Sequence, residues 1–229
     1  MKACRLHSFI KATLALVCAG FMANSASYAG PITPDYDTFG LLSAATFGGS
    51  GIPNDSVAIT NVGGVTLGLT ATQRYSNPTV TNNGHGTFFA TPGADTLPST
   101  YARWNFSFYA SNTSQNDYTL QLLWDLDPGF GTDEASLGNP LGIGPLAAGS
   151  TFQDSWNLGM PFLGGGFDPT AVGEYSFALI LRNDAGEELG RSAINVNVGH
   201  VPDTASTGLL TLAGLASLLV MARMRRQTK

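Results

Sequence analysis

The chain has 229 residues, a length that suits one folded domain with short targeting segments at its ends. Residues 30–202 hold four basic and 15 acidic residues, a net charge of −11 that disfavours binding to the phosphates of nucleic acid. Both cysteines, Cys4 and Cys18, lie near the N-terminus. A mature chain without that segment has no thiol or disulfide, so its stability depends on its core.

Residues 1–29 are typical of a secretory signal peptide. A basic segment comes first, an uncharged and mostly apolar run over residues 12–22 follows, and small and polar residues complete the segment. The apolar run is too short to cross a bilayer as a stable helix. Ser27 and Ala29 are small at the two positions that signal peptidase reads, so we expect cleavage between Ala29 and Gly30. The alternative is an amphipathic first helix of the domain.

The middle of the chain predicts short β-strands. Within residues 101–110, the large side chains of Trp104, Phe106 and Phe108 alternate with polar ones, as in a half-buried strand. Turn-forming residues at 111–117 and 183–186 predict hairpins between the strands that flank them. Residues 30–199 therefore predict one all-β domain, an antiparallel β-sandwich that is immunoglobulin-like in the broad sense. The predicted strands cover Val57–Val62, residues 65–70, Thr87–Ala90, residues 101–110, Tyr118–Trp124, residues 175–181 and residues 192–198.

The predicted domain has little of the chemistry that catalysis requires. His85 is the one histidine within it, and flanking glycines place His85 in an exposed turn. The chain has no Gly-x-Ser-x-Gly nucleophile motif, and no cysteine remains after signal-peptide removal. We therefore predict no catalytic residues and no enzymatic activity.

Four acidic residues lie close together after the strand predicted at Tyr118–Trp124. Carboxylates at a strand end, followed by a loop with glycines, can supply oxygen ligands to Ca²⁺. The spacing is not that of an EF-hand, because Ser136 stands where the bidentate glutamate is expected. A solvated acidic loop without a cofactor and a glycosidase-like carboxylate pair are the alternatives. The candidate metal ligands are Asp125, Asp127, Asp133 and Glu134.

The three tryptophans suggest carbohydrate binding as a further alternative, since indole rings on one exposed face stack on sugar rings. Trp104 and Trp124 lie on predicted core strands, where burial is the usual outcome. Trp156 lies in a less regular stretch and is the candidate for exposure.

The C-terminal 30 residues predict a membrane segment. Residues 200–207 form a short linker, residues 208–222 contain no charged side chain, and residues 223–229 are basic. Arginines after an uncharged span hold the tail in the cytoplasm and place the ectodomain on the opposite side, in agreement with the signal peptide. Fifteen residues at about 1.5 Å each reach roughly 22 Å, which is short for a permanent anchor. A plain tail anchor is the alternative.

This C-terminal pattern resembles the PEP-CTERM sorting signal, which is read by exosortases, transpeptidase-like membrane enzymes of bacteria that make exopolysaccharide. Asp203 replaces the usual glutamate and Thr204 the second proline, so the signature is more similar to the VPDSG variant. The resemblance implies an exported envelope or matrix protein, and the lack of catalytic residues in the predicted domain makes a non-catalytic one the expectation. Its partners would be signal peptidase, an exosortase-type enzyme and extracellular polysaccharide, with an inner-membrane intermediate before the cell surface or the medium. A calcium- or carbohydrate-binding module on a plain anchor is the alternative. The signal comprises Val201, Pro202, Asp203, Arg223, Arg225 and Arg226.

Overall fold

The computed structural model describes residues 30–46, 53–137 and 141–199, and these residues form an all-β architecture, as the sequence predicts. Two short 3₁₀ helices, Glu134–Ser136 and Pro161–Leu163, lie between strands of the described region. The strands described are β1 (Thr38–Gly40), β2 (Val57–Val62), β3 (Val65–Gln73), β4 (Thr81–Asn82), β5 (Thr87–Ala90), β6 (Trp104–Asn112), β7 (Tyr118–Trp124), β8 (Leu141–Leu146), β9 (Thr151–Trp156), β10 (Gly173–Arg182) and β11 (Glu188–Val198).

These strands form two sheets. The smaller sheet has the order β1-β2-β3-β6-β9, and the larger sheet has the order β4-β5-β11-β10-β7-β8. β5 pairs with β11 in parallel, from Thr87 opposite Asn195 to Ala90 opposite Val198. The larger sheet is therefore mixed where the sequence predicted antiparallel pairing. No tight turn joins β5 to β11, so their relative direction is not restricted as it is in a hairpin.

Large apolar side chains from both sheets meet in one core. Phe106 of β6 stacks on Phe177 of β10 with ring centroids 4.4 Å apart, and Trp104 meets Phe177 edge-on at 6.1 Å. Trp104, Phe106 and Phe108 all lie in this core, as predicted, but Ser107 and Tyr109 on the opposite face of β6 are buried as well, so the predicted half-buried strand is wrong for the middle of β6. Because the inner faces of the two sheets supply one core, the described residues form a sandwich.

The hairpin predicted around residues 183–186 is confirmed. β10 and β11 pair in antiparallel fashion from Gly173 opposite Val198 to Arg182 opposite Glu188. Ile194, Val196 and Val198 face the core, as their alternation with small and polar residues predicts. This hairpin lies in the middle of the larger sheet.

The hairpin predicted between β6 and β7 is wrong, because the two strands lie in different sheets. β6 pairs with β3 on one edge and β9 on the other, so neither edge remains for β7. The buried Asn112 holds the crossing: its Nδ2 donates to the carbonyl oxygens of Asn116 (2.7 Å) and Leu146 (3.1 Å). Its Oδ1 accepts from the backbone N–H of Ser114 at 2.9 Å.

Residues 30–36, which we name the N-terminal strap, cover the outer face of the larger sheet. The N–H of Asp35 donates to the Ala193 carbonyl (3.2 Å), and the Ala193 N–H donates to the Asp35 carbonyl (2.8 Å). Ile32 of the strap packs against the sheet and is only 3% exposed. Its cluster comprises Leu123, Ala178, Ile180 and Ala193.

Candidate functional site

The predicted linker, span and basic tail lie outside the described residues, so the sorting prediction stays a prediction. β11 ends at Val198, where the sequence predicts the end of the domain, and the N–H of Gly199 donates to the Ala90 carbonyl at 2.9 Å. Across residues 30–46, 53–137 and 141–199, none of the helices is long and apolar enough to cross a membrane. The sorting residues that lie beyond this region are Val201, Pro202, Asp203, Arg223, Arg225 and Arg226.

The predicted signal-peptidase site lies at the edge of the described region. Ala29 is outside it, but Gly30 is already part of the fold. The Gly30 carbonyl accepts from the backbone N–H of Glu134 at 2.9 Å, and Pro31 forms an isolated β-bridge with Asp133. Gly30 and Pro31, the first two described residues, therefore both contact the loop at residues 133–134.

Asp125 and Asp127 lie together after β7. Asp125 is 2% exposed; its Oδ1 accepts from the Asp127 N–H at 2.8 Å, while its Oδ2 is buried without a hydrogen bond. Burial raises the pKa of Asp125, and the charges of Asp127 and Glu174 raise it further, against the opposing effects of Thr132 and the Asp127 N–H. The hydroxyl of Thr132 lies nearby but donates to the Gly129 carbonyl at 3.2 Å.

Asp133 and Glu134, the other two predicted ligands, have different partners. Oδ1 of Asp133 accepts from the Ala135 N–H at 3.2 Å and so caps the short helix Glu134–Ser136. Oε2 of Glu134 accepts from Nη1 of Arg191 at 2.7 Å, and Arg191 also donates through Nε to Glu188 at 2.5 Å. Burial opposes the charge on Arg191, but the hydrogen bonds from Glu188 and Glu134 outweigh it and raise the Arg191 pKa.

The structure does not bring the four predicted calcium ligands into one cage. Both carboxylate oxygens of Glu134 face the Arg191 guanidinium, which occupies the place a cation would take. Within the part of the chain that the structure describes, no three His, Cys, Asp or Glu side chains are grouped so that they could hold a metal ion. Glu174 of β10, whose Oε1 accepts from the Gly131 N–H at 3.3 Å, was not among the sequence candidates. Asp125, Asp127, Asp133 and Glu134 as calcium ligands remain a prediction.

An arginine contacts two tyrosine rings in the turn that follows β3. The guanidinium carbon of Arg74 is 4.5 Å from the ring centroid of Tyr75 and 4.9 Å from that of Tyr101, distances typical of cation–π contacts. Its Nε donates to Oδ2 of Asp95 at 2.6 Å. Neither Nη atom donates a hydrogen bond to another described residue. We name Arg74, Tyr75, Asn77, Asp95 and Tyr101 the Tyr75 cluster.

Asp95 anchors this cluster. Its carboxylate is buried, and Oδ1 accepts from Nδ2 of Asn77 (3.0 Å) and from the Thr96 N–H (2.7 Å). The hydrogen bond from Asn77, opposed by burial and supported by Thr96 and Arg74, holds the pKa of Asp95 below its ordinary value. Asp95 is therefore ionised at neutral pH and balances the charge of Arg74.

Tyr75 has the most unusual backbone of the cluster. Its φ is +50°, a conformation that bulky residues rarely adopt, and its side chain is 76% exposed. The N–H of Asn77 closes the turn on the Arg74 carbonyl at 3.1 Å, and Nε2 of Gln73 donates to the Tyr75 carbonyl at 3.3 Å. The turn therefore presents the phenol ring to solvent on a backbone that is held at both ends. A tyrosine within the polar stretch at residues 73–79 was the available sequence signal.

The tryptophans do not form an exposed row. Trp104 is 2% exposed, and Trp124 is half-buried with its Nε1 donating to the Leu163 carbonyl at 3.0 Å. Trp156 is also half-buried, and its indole N–H donates to Oδ2 of Asp154 at 2.8 Å. Its ring meets the ring of Phe108 edge-on at 4.8 Å, so Trp156 packs against the core. His85 is exposed in its turn, as the flanking glycines predict.

The Tyr75 cluster lies at the end of the sandwich where the chain leaves β11. Gln73, the last residue of β3, pairs with Trp104, and Trp104 packs against Tyr175 near the start of β10. Tyr175 is opposite Val196, close to the end of β11. Comparison with known proteins adds no assignment to this site, because no protein-family model and no curated protein matches the chain.

Proposed function

We propose that this chain is a non-catalytic, exported envelope or extracellular-matrix protein that an exosortase-type enzyme sorts to the cell surface. The observation that carries the proposal is where the folded unit lies along the sequence. Gly30 accepts a hydrogen bond from Glu134, and Gly199 donates one to Ala90, so both ends of the described region belong to the fold, which supports an ectodomain between the two predicted export signals. An immunoglobulin-like sandwich in the broad sense suits such a stand-alone ectodomain.

The sequence between Val198 and the predicted span supports processing in this interval. Pro202 prevents a regular helix from extending from the membrane back through the linker, so the signature is accessible at the outer surface of the inner membrane. The arginines after residue 222 hold the tail on the cytoplasmic side while the sorting enzyme acts. The membrane stage is then temporary, and the mature domain reaches the surface or the medium.

The test is the C-terminal composition of the protein in its own host. Mass spectrometry of the surface-located protein should show loss of the span and the basic tail. Changing Pro202 and Asp203 to alanine together should make the full-length form accumulate in the inner membrane. Ser206→Ala with Thr207→Ala, two changes in the same linker outside the signature, should leave processing intact. Recovery of an intact Lys229 from the surface protein would refute processing and leave a plain tail-anchored ectodomain.

A further inference from the structure

We propose that one end of the sandwich docks onto the surface of a lipid bilayer whose headgroups carry no net charge. We name it the exit end, because β11 ends there at Val198. The connections that follow β3, β5, β7 and β9 also start at this end, since each of these strands finishes beside the end of β11 or the start of β6 or β10. The connections at the exit end comprise residues 74–80, 91–103, 125–131 and 157–172. The proposal rests on the proposed function in one respect, the predicted membrane span at residues 208–222.

Large apolar side chains are exposed mainly at the exit end. Within the described ranges, those exposed elsewhere are Leu41, which follows the outermost strand named in the smaller sheet, and Leu189, near the start of β11. The connections at the opposite end of the sandwich contain no large apolar residue; they are residues 63–64, 113–117, 147–150 and 183–187. The exit end has five large side chains that are each more than half exposed, Tyr75, Leu97, Phe130, Phe162 and Val172. Such a concentration at one end marks an interaction surface.

Hydrogen bonds and ring contacts hold the connections of the exit end together. The Tyr75 cluster joins the first connection to the second through the two cation–π contacts of its arginine. The N–H of Gly93 donates to the Pro169 carbonyl at 2.8 Å and joins the second connection to the fourth. Trp124, at the end of β7, donates through Nε1 to the Leu163 carbonyl at 3.0 Å. The exposed apolar side chains are therefore carried by one connected surface.

The short distance to the predicted span selects a bilayer as the partner of this surface. Residues 200–207 separate Gly199 from the span, and eight residues reach at most about 28 Å when fully extended. The side chain of Val172 lies directly beside Gly199, so the apolar surface borders the point at which the linker begins. Tethering over this distance gives a high effective concentration of lipid beside the exit end. A modest apolar area is then sufficient for docking, because binding to the interface scales with the apolar area buried.

Charge selects the kind of headgroup. The two basic side chains of these connections are already engaged: Arg74 pairs with Asp95 at 2.6 Å, and Nε of Arg103 donates to the Ala94 carbonyl at 3.2 Å. Residues 30–202 have a net charge of −11, which repels anionic lipid. The contact is therefore apolar, and aromatic rings suit it because they are enriched where a bilayer meets water.

The test locates both ends of the sandwich relative to lipid by electron paramagnetic resonance. The full-length protein, with Cys4→Ser and Cys18→Ser so that an introduced cysteine is the only one, is reconstituted in phosphatidylcholine vesicles. Nitroxide labels at Leu97→Cys and at Phe162→Cys should be relaxed several-fold more by oxygen, which concentrates in lipid, than by a water-soluble nickel chelate. A label at Ser114→Cys, at the opposite end, should show the reverse preference.

An added charge separates docking from tethering alone. Phe162→Asp should shift the Leu97 label towards the behaviour of the Ser114 label, because a carboxylate is costly to bury. Leu41→Asp makes the same kind of change at an exposed apolar residue outside the exit end, so it should leave the Leu97 label unchanged. Thermal melting of both variants shows that the fold is retained.

Each contrary result has a distinct meaning. Labels at Leu97 and Phe162 that behave as in water, in protein that floats with the vesicles, overturn docking and leave the predicted span intact. Labels that neither reagent reaches show that a second copy of the chain covers the surface, and they overturn the proposal too. Equal effects of Phe162→Asp and Leu41→Asp would do the same. Protein that does not float with the vesicles overturns the span and the docking together, whereas C-terminal processing is tested separately by the mass of the mature protein.

Discussion

The carboxylate of Asp125 is buried with too few hydrogen-bond donors to compensate for its negative charge. One oxygen is bonded to the Asp127 N–H, but the other is buried without a donor, and Glu174 adds a second nearby negative charge. The raised pKa means that the folded state binds the proton more tightly than the unfolded chain. Ionisation of Asp125 therefore leaves the free energy of unfolding unchanged below the ordinary aspartate pKa. It lowers that free energy as the pH rises from the ordinary pKa through the raised one.

We expect Asp125→Asn to stabilise the protein at neutral pH. The amide keeps one oxygen for the Asp127 N–H and removes a buried charge, a gain of about 1 kcal/mol that would raise Tm by about 2–4 °C. Near pH 3, where the native carboxyl is protonated, the gain should disappear. Melting curves at both pH values check this expectation. Asp184→Asn, the same charge change in an exposed turn, is the control. An equal gain for Asp125→Asn at both pH values, or a lower Tm at pH 7, would contradict it.

Some strands could be predicted from the local sequence and others could not. Residues 183–186 form a compact turn between two alternating runs, and β10 and β11 pair across it as predicted. β8 was not predicted, because its glycines and Pro145 are residues that are rare in strands. Pro145 is tolerated there because β8 is the outermost strand named in its sheet. β9 has a mixed polar sequence without strict alternation, and its side chains are mostly half-buried.

The connection between β6 and β7 shows where local sequence is insufficient. The turn residues after Asn112 are equally compatible with a hairpin and with a crossing between sheets. The crossing forms because β3 and β9, distant in sequence, occupy both edges of β6. The Tyr75 cluster was missed for the same reason, since Arg74, Asp95 and Tyr101 come together only when separate loops fold. Core positions were predictable because apolar and polar residues alternate along a single strand, a pattern that is visible in the local sequence.

Asn112 makes the crossing testable. Asn112→Ala removes donors to the Asn116 and Leu146 carbonyls and the acceptor for Ser114, all around a side chain that is 1% exposed. We expect a loss of about 2–4 kcal/mol in the free energy of unfolding, measured by urea denaturation. Asn116→Ala, which keeps the backbone carbonyl that Asn112 uses, is the matched control and should cost little. A loss of under about 0.5 kcal/mol for Asn112→Ala would show that the crossing does not depend on this side chain.

At the scale of the whole molecule, the strap makes the residues just after the predicted cleavage site part of the domain. A fragment of residues 30–199 should be soluble, give a β-dominated circular dichroism spectrum and melt identically with and without reductant, because it has no cysteine. A fragment of residues 37–199 loses Ile32 and the Asp35–Ala193 pair, so it should melt several degrees lower. A helical spectrum for the longer fragment, or equal melting of the two, would contradict this expectation.

The central position of β11 has a mechanical consequence. The last strand of the described residues is β11, which pairs with β10 from Glu188 to Val198 and with β5 alongside. Tension applied through a C-terminal attachment pulls β11 along its own axis, so its interstrand hydrogen bonds bear the load together in shear. A strand at the edge of a sheet, pulled sideways, would instead open one bond at a time. We therefore expect the domain to resist force applied at Gly199 more strongly than force applied through the outermost strand β8, as single-molecule pulling from each point would measure.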